Sequence, residues 1–323
     1  MADRAQGIAP ALPEQKTGGA GAIAARRPRS RYSLLTRRDK LVLTVMVGIP
    51  LIFDLALIWG PAIASIFLSF TAYEGIGTPR YVGTTNYHNL FTIDPTFWPA
   101  FEHNVLWLAF LGLVATPLGL LMAVLLDRQL RFSRFYQSSL YLPVTLSFAV
   151  VGFLVQLVGS ADQGVINAIL GRTHGNGIDF IGNPHLNIWL ALAFAGWRHT
   201  GYVMIIYLAG LKSVDPALKE AAIVDGASPV QTFFRVVFPT MRPINVIILV
   251  ITVIEALRAF DLVYVINGGR NGLELLAVMV VDNIIGEASR IGYGSAVAVI
   301  LLILTTGFVI TYLTQILRRE ESR

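Results

Sequence analysis

The sequence contains no cysteine among its 323 residues, which excludes disulfides, thiolate metal ligands and a cysteine nucleophile. Charged residues are also scarce, at 14% of the chain against about 25% in soluble domains. The phosphate-binding G-x-x-x-x-G-K-S/T loop, the H-E-x-x-H helix and a Ser/His/Asp set are missing as well. We therefore expect no bound nucleotide, no metal site and no catalytic residue within this chain.

Long apolar runs dominate what is present. Apolar residues make up 54% of the chain, and six runs approach or exceed the roughly 20 residues that cross a bilayer. These runs are 41–70, 104–126, 138–158, 187–210, 244–264 and 292–316. Several contain proline (Pro50, Pro61, Pro117 and Pro143), which neighbouring helices can accommodate. The sequence predicts an all-α polytopic membrane protein with six transmembrane helices in a packed bundle.

The distribution of positive charge predicts the orientation of these helices. Segments 1–40, 127–137, 211–243 and 317–323 together hold 19 of the 25 Lys and Arg residues. Because Lys and Arg collect on the cytoplasmic side, we assign these segments and both termini to the cytoplasm. Residues 1–40 read as a disordered basic tail, 41–317 as the six-span domain and 318–323 as a short C-terminal tail. The net charge of +5 then reflects topology, not nucleic-acid binding.

The 211–243 loop carries the densest local signals in the chain. Asp215 before Pro216 predicts a helix start, and Gly226 predicts a left-handed residue that ends this helix after Val224. Ser228, Pro229 and Gln231 form a second start with a capping box. We expect the second helix to stop near Pro239. The loop is then two short helices joined at a glycine elbow, which either dock a partner or pack only on their own bundle.

The residues of this loop carry a resemblance. Their pattern, EAA-x-x-DGA-x-x-x-x-x-F-x-x-x-x-x-P, resembles the EAA loop of ATP-binding-cassette importer permeases. The matching positions are Glu220, Ala221, Ala222, Asp225, Gly226, Ala227, Phe233 and Pro239. The resemblance implies a cytoplasmic loop that docks an ATPase, with Glu220 at the contact and Gly226 as the elbow. We further expect Phe233 and Phe234 to seat the second helix on the bundle.

The resemblance extends over about residues 45–316 and indicates the carbohydrate-uptake subfamily. It is carried by Ser69-Phe70, the YVG-x-x-NY segment from Tyr81, an FW-x-A stretch from Phe97, RFSRFYQSSLYLP at 131–143, Ile266 to Gly269 and Gly292 to Ala296. Arg270 departs from the subfamily pattern, which has proline there.

The resemblance implies a set of partners and a place in the cell. The partners are a second homologous permease, two ATPase subunits that bind ATP and Mg, an extracytoplasmic solute-binding protein, and a sugar substrate such as an oligosaccharide or a polyol derivative. The implied location is the bacterial inner membrane.

Ionisable residues inside the apolar runs need a reason, because each costs about 2.5–3.5 kcal/mol at mid-membrane. They are Asp54, Arg198, His199, Glu255, Arg258 and Asp261. Glu255 and Arg258, three residues apart on a helix, are predicted to pair with each other. Alternatively, this row and Arg198 line a hydrated translocation path for a hydroxylated solute. His199 is interpreted as a packed, hydrogen-bonded residue and not a metal ligand. Asp54 is a further candidate for the path.

Other classes of function remain open from the sequence. An ion-coupled secondary transporter would use Asp54, Glu255 and Asp261 as coupling groups. A membrane scaffold would use the basic tail to bind anionic lipid. An importer of another solute is a third alternative.

Overall fold

The computed structural model describes residues 36–128, 131–172, 175–286 and 289–321. Of the predicted tails at 1–40 and 318–323, residues 1–35 and 322–323 lie outside this range. The tail bounds were wrong in the described part, since one helix already begins at Arg37 and another continues to Glu321. The chain divides into two compact units, 1–59 and 60–323. In the first unit, helix α1 spans Arg37–Asp54 and is followed by a π-helical turn at Leu55–Trp59. A capping box between Thr36 and Asp39 fixes the start of α1.

The second unit is helical apart from one short hairpin. Its elements begin with α2 (Gly60–Leu68), β1 (Thr71–Ala72), β2 (Arg80–Tyr81), α3 (Thr85–Thr92), α4 (Phe97–Phe110), a π turn (Leu111–Ala115), α5 (Thr116–Asp127), α6 (Ser133–Tyr141), a 3₁₀ turn (Leu142–Thr145) and α7 (Phe148–Gly159). They continue with α8 (Val165–Ile169), α9 (Asn187–Ser213), α10 (Pro216–Val224), α11 (Pro229–Thr232), a π turn (Phe233–Val237), α12 (Phe238–Thr240), α13 (Arg242–Leu257), α14 (Asp261–Asn267), α15 (Leu276–Ile284) and α16 (Ile291–Glu321). The strands pair antiparallel, with Thr71 opposite Tyr81.

The prediction of helices at all six apolar runs is confirmed, but not every run is one continuous helix. Among the described residues, three helices are long and apolar enough to cross a membrane: Arg37–Leu68, Phe97–Asp127 and Ile291–Tyr312. A bent helix pair at 133–159 is a fourth candidate. Helix α9 has 27 residues but carries Arg198 and His199, and α13 has only 16 residues. The count of six transmembrane helices stays a prediction.

Two of the predicted spans are interrupted in the structure. The run at 138–158 bends by 97° between Thr145 and Phe148, because Pro143 ends regular α-helix and Ser147 caps a new helix by accepting from the backbone N–H of Val150. The run at 244–264 is interrupted between α13 and α14, at residues 258–260. Both breaks lie next to the polar cavity described below.

Small residues and buried amides hold the helices of the second unit together. A Cβ at Gly119 would overlap Val203, one at Gly152 would overlap Val265, and one at Gly201 would overlap the carbonyl oxygen of Leu140, so each glycine allows a close helix crossing. Fully buried Asn104 donates to the Ala256 carbonyl (3.3 Å) and accepts from the Leu276 N–H (2.9 Å). These contacts satisfy polar groups that a lipid environment would leave unpaired.

The YVG-x-x-NY segment has a structural role. The Asn86 side chain donates to the carbonyl oxygens of Ser69 (2.8 Å) and Thr71 (2.9 Å), and the Tyr87 hydroxyl bonds the Ser69 hydroxyl (2.8 Å). The segment thereby fixes how the chain leaves α2.

Substituting alanine at Gly201 and at Gly307 tests the role of close helix packing. Both glycines lie inside helices, where alanine is intrinsically favoured by about 1 kcal/mol. A Cβ at Gly307 meets no described atom within 4 Å, whereas one at Gly201 meets the Leu140 backbone. We expect Gly201→Ala to lower the melting temperature of the detergent-purified chain by several degrees and Gly307→Ala to leave it unchanged or slightly raised. Equal melting temperatures for the two variants would contradict the packing argument.

Candidate functional site

The 211–243 loop folds as its caps predict. The Asp215 carboxylate accepts from the Ala217 N–H (2.9 Å) at the start of α10. Ser228 and Gln231 form the reciprocal capping box at the start of α11, at 3.3 and 2.9 Å. Gly226, with φ of 79°, provides the left-handed residue between the two helices. Two capped helices meeting at one glycine make a bend with a defined shape.

The predicted end of the second helix near Pro239 is confirmed to within one residue. The helical path runs from α11 through a π turn at 233–237 and α12 to Thr240, and α13 begins at Arg242. Pro239 lies in the first turn of α12, where a missing N–H is tolerated.

The loop divides the EAA-pattern residues between solvent and the bundle. Glu220, Ala221, Asp225 and Gly226 are exposed, Ala222 is buried, and Ala227, Phe233 and Pro239 are half-buried. Phe233 packs against a cluster of buried residues that includes Tyr207, Val237 and Met241, as predicted. The same prediction was wrong for Phe234, which is 62% exposed. Successive helical residues point in directions about 100° apart, and here Phe234 points away from the bundle face that Phe233 occupies.

Three large apolar residues are exposed on the two loop helices. Ile223 is 65% exposed and Val224 86% exposed on α10, and Val230 is 66% exposed on α11. We call these three residues the loop patch. Also on α10, Lys219 makes an ion pair with Asp127 at the end of α5 (Nζ to Oδ2, 3.6 Å). The loop is therefore tied to the bundle and also exposes apolar residues.

A cavity of about 450 Å³ lies in the second unit, between α9, α13, α14 and the broken 138–158 run. Four of the five candidate path residues line it: Arg198, Glu255, Arg258 and Asp261. Several aromatic and apolar side chains complete the wall, among them Trp107, Phe148, Tyr202, Ile254 and Phe260. The breaks at 142–147 and 258–260 border this cavity, which is where irregular backbone is tolerated at membrane depth.

The predicted pairing of Glu255 with Arg258 was wrong. Glu255 instead accepts from Arg198 (Nη1 to Oε1, 3.0 Å) and contacts the His199 ring (Nδ1 to Oε2, 2.7 Å). Arg258 follows the last residue of α13, outside the regular helix that an i, i+3 pair needs. It is exposed and has no ion-pair partner among the described residues.

Arg198 is held by two further contacts. Its Nε donates to the carbonyl oxygen of Leu146 at the helix break (3.3 Å), and its guanidinium lies 3.9 Å from the centre of the Phe148 ring. The helix break thus places the Leu146 carbonyl oxygen and the Phe148 ring against the guanidinium, and both groups stabilise its positive charge.

His199 is fully buried and hydrogen-bonded on both ring nitrogens, as its interpretation from sequence required. Nδ1 faces Glu255, while Nε2 lies 3.2 Å from the hydroxyls of both Thr116 and Thr252. Thr252 also donates to the Ile248 carbonyl (2.7 Å). An imidazole with its proton on Nδ1 satisfies these contacts, because Thr116 can donate to Nε2.

Sequence reasoning missed the two threonines and the aromatic lining. Thr252 lies three residues before Glu255 on α13, so helical spacing could have placed it on the same face. Thr116 is far away in sequence, on α5, and no local pattern points to it.

Asp54 was the fifth candidate path residue. It is the last residue of α1 in the first unit, and its side chain is exposed. Arg198, one possible partner for it, is already paired with Glu255. Within the described residues, no group of three or more His, Cys, Asp or Glu side chains could hold a metal ion.

A bundle of apolar and broken helices around a polar cavity, with a protruding pair of capped helices, is the architecture of a membrane transport subunit. Residues 115–323 match the family described as the inner membrane component of binding-protein-dependent transport systems. The chain belongs to this family, the permease subunits of ATP-binding-cassette importers, which are transport components and not enzymes.

Curated relatives agree with this family. The xylose/arabinose import permease protein XacH of Haloferax volcanii is 33% identical over 274 residues, covering 82% of this chain and 85% of the relative. The osmoprotective compounds uptake permease protein GgtC of Synechocystis sp. is 31% identical over 269 residues, covering 81% and 94%. The arabinooligosaccharides transport system permease protein AraP of Bacillus subtilis is 30% identical, covering 75% and 78%.

The fold matches a solved transporter. A crystal structure of a bacterial ABC transporter that imports the acidic polysaccharide alginate aligns with a TM-score of 0.74 and 22% identity, covering 90% of this chain and 99% of that chain. A second structure of an alginate transporter, in complex with a pentasaccharide-bound periplasmic protein, aligns with a TM-score of 0.72. These likenesses establish the type I importer permease fold.

Replacing each arginine of the cavity tests which one pairs with Glu255. Arg198→Gln removes the partner of a largely buried carboxylate and a cation–π contact, so we expect a loss of at least about 1 kcal/mol in unfolding free energy. Arg258→Gln removes an exposed side chain without an ion pair and should leave stability unchanged within about 0.5 kcal/mol. Equilibrium unfolding of the purified chain in detergent measures both. A larger loss of unfolding free energy for Arg258→Gln than for Arg198→Gln would show instead that Glu255 pairs with Arg258.

Proposed function

We propose that this chain forms half of the translocation pathway of an ATP-driven, binding-protein-dependent sugar importer, and that its 211–243 loop docks the ATPase. One observation carries the proposal. Helix α9 enters this loop and α13 leaves it, and the same two helices place Arg198 and Glu255, paired at 3.0 Å, in the cavity wall. A movement of the loop therefore acts on α9 and α13, and both of these helices line the cavity.

The loop patch supports docking to a protein subunit. Ile223, Val224 and Val230 expose large apolar surfaces next to Glu220 and Asp225, on helices whose starts are both capped. A rigid, bent element with an apolar centre and a polar rim is what a stable protein interface needs. The proposed partner is one of two ATPase subunits, which bind the ATP and Mg that this chain has no motif to hold.

The remaining proposed partners are those that the resemblance implies, and the alginate transporter solved with a pentasaccharide-bound periplasmic protein supports the binding protein among them. The proposed complex contains a second homologous permease, a second ATPase and an extracytoplasmic binding protein. It lies in the bacterial inner membrane, with six spans and both termini of this chain in the cytoplasm, as the charge distribution predicts.

The proposed substrate is a sugar, as an oligosaccharide or a related polyol derivative. Two of the relatives are named for pentose sugars and their oligosaccharides. The cavity adds support from this chain, because it combines hydrogen-bonding groups on Arg198 and Glu255 with aromatic faces at Trp107, Tyr202 and Phe260. A mostly apolar lining with few placed polar groups is typical of a small-molecule site.

Placing a charge in the loop patch tests the docking surface. Val224→Lys should abolish co-purification of the ATPase in mild detergent, because it puts an unpaired charge at the centre of an apolar contact. Ile76→Lys is the matched control, since Ile76 is also an apolar residue and is 93% exposed, but in the 73–79 loop. Retention of the ATPase by Val224→Lys would remove the loop patch from the interface.

Changing Gly226 tests the elbow. A Cβ at this position meets no described atom, so only the positive φ opposes substitution. Gly226→Val should leave membrane insertion and pairing with the second permease intact but abolish solute uptake, because a β-branched residue disfavours positive φ. Gly226→Asn is the control and should keep most of the uptake, since asparagine tolerates this backbone conformation. Normal uptake by Gly226→Val in vesicles would refute the elbow.

A further inference from the structure

The charges in the cavity wall sum to zero. The residues that line it include two arginines, Arg198 and Arg258, and two carboxylates, Glu255 and Asp261. His199 lies behind Glu255 and is fully buried. It is not among the residues that line the cavity.

The positive charge of Arg198 is already compensated by groups of the protein itself. Its guanidinium is bonded to Glu255 and to the Leu146 carbonyl and lies over the Phe148 ring. A ligand carboxylate that took the place of Glu255 on Arg198 would leave Glu255 in the wall without its arginine. Leaving a largely buried carboxylate unpaired is strongly unfavourable.

The pair nevertheless keeps hydrogen-bonding capacity for a ligand. A carboxylate has about four lone-pair sites and a guanidinium five N–H donors, more than the contacts described above use, and both side chains are 18% exposed. Donors and acceptors therefore lie side by side at 3.0 Å without net charge. This arrangement suits adjacent hydroxyl groups, which both donate and accept.

We propose that the cavity is built for uncharged polyhydroxylated ligands and discriminates against acidic saccharides, with Arg198 and Glu255 as its specificity-determining pair. The inference rests on the proposed function, in which the cavity lies on the sugar pathway. It concerns only the charge preference of that site. It also differs from what the fold likeness alone suggests, since the matched crystal structures come from importers of an acidic polysaccharide.

The absence of cysteine allows a direct measurement of the potential in the cavity. Ala259 is a small, half-buried residue of the cavity wall, so Ala259→Cys provides a single reporter thiol in the full-length chain. We would measure its rates of reaction with an anionic and a cationic methanethiosulfonate reagent in detergent. The ratio of these rates, divided by the ratio for 2-mercaptoethanol, reports the local charge independently of any sugar or ATPase.

We expect the normalised ratio for Ala259→Cys to lie within about threefold of one. Glu255→Gln and Asp261→Asn, each combined with Ala259→Cys, should raise the anionic preference at least about fivefold, and Arg258→Gln should lower it by a similar factor, as Coulomb interactions over several ångströms predict. Asp261 and Arg258 are exposed and have no ion pair among the described residues, so these two variants remain informative if Glu255→Gln fails to fold. Glu74→Gln, an exposed charge outside the cavity lining, is the control and should change nothing.

A normalised ratio that favours the anionic reagent by tenfold or more in the otherwise unmodified chain would overturn the proposal, because the cavity would then attract acidic ligands. An unchanged ratio in all three cavity variants would overturn it as well. Neither result bears on the docking of the ATPase, so failure of this inference and failure of the proposed function are distinguishable.

Discussion

The Glu255 carboxylate, shared between Arg198 and His199, links the two helices on either side of the 211–243 loop. It joins α9 to α13 at a point where neither helix has another charged partner among the described residues. Helix α9 enters the 211–243 loop and α13 leaves it. The Arg198–Glu255 ion pair therefore connects the two helices a second time, at the cavity wall. An ion pair at this depth has a high desolvation cost, which the hydroxyls of Thr116 and Thr252, the Leu146 carbonyl and the Phe148 ring help to offset.

Several contacts hold the 211–243 loop in its bent shape. Its two helix starts are capped, Lys219 ties α10 to Asp127, and Phe233 is seated against buried residues of the bundle. A loose loop would absorb a push from a partner by changing its own shape. On the proposed function, a capped and anchored loop would pass the displacement to α9 and α13 instead. A Cβ at Gly210 of α9 would overlap Ile244 of α13, so this glycine allows the two helices to pack closely.

Local chemistry could be predicted from sequence, whereas long-range pairing could not. The bounds of α10 and the start of α11 follow from Asp215, Gly226 and Ser228, whose bonds reach only two or three residues along the chain. The partner of Glu255 lies 57 residues away, and a helical spacing rule favoured the nearer Arg258. Spacing fails there because α13 ends at Leu257. Phe234 was misplaced for a related reason, since apolar character alone does not say which of two adjacent aromatics faces the bundle. The candidate path residues were found because charge inside an apolar run is conspicuous, but their arrangement around one cavity depends on helix breaks that the sequence marks only by Pro143.

On the proposed function, a partner ATPase moves the loop and thereby changes the cavity. This coupling can be measured as the rate at which a membrane-impermeant thiol reagent labels Ala259→Cys in the assembled complex, with and without Mg·ATP. We expect the rate to change several-fold on adding ATP, and the change to disappear when this chain is purified without its ATPase. Equal labelling rates with and without ATP in an ATPase-competent complex would contradict it.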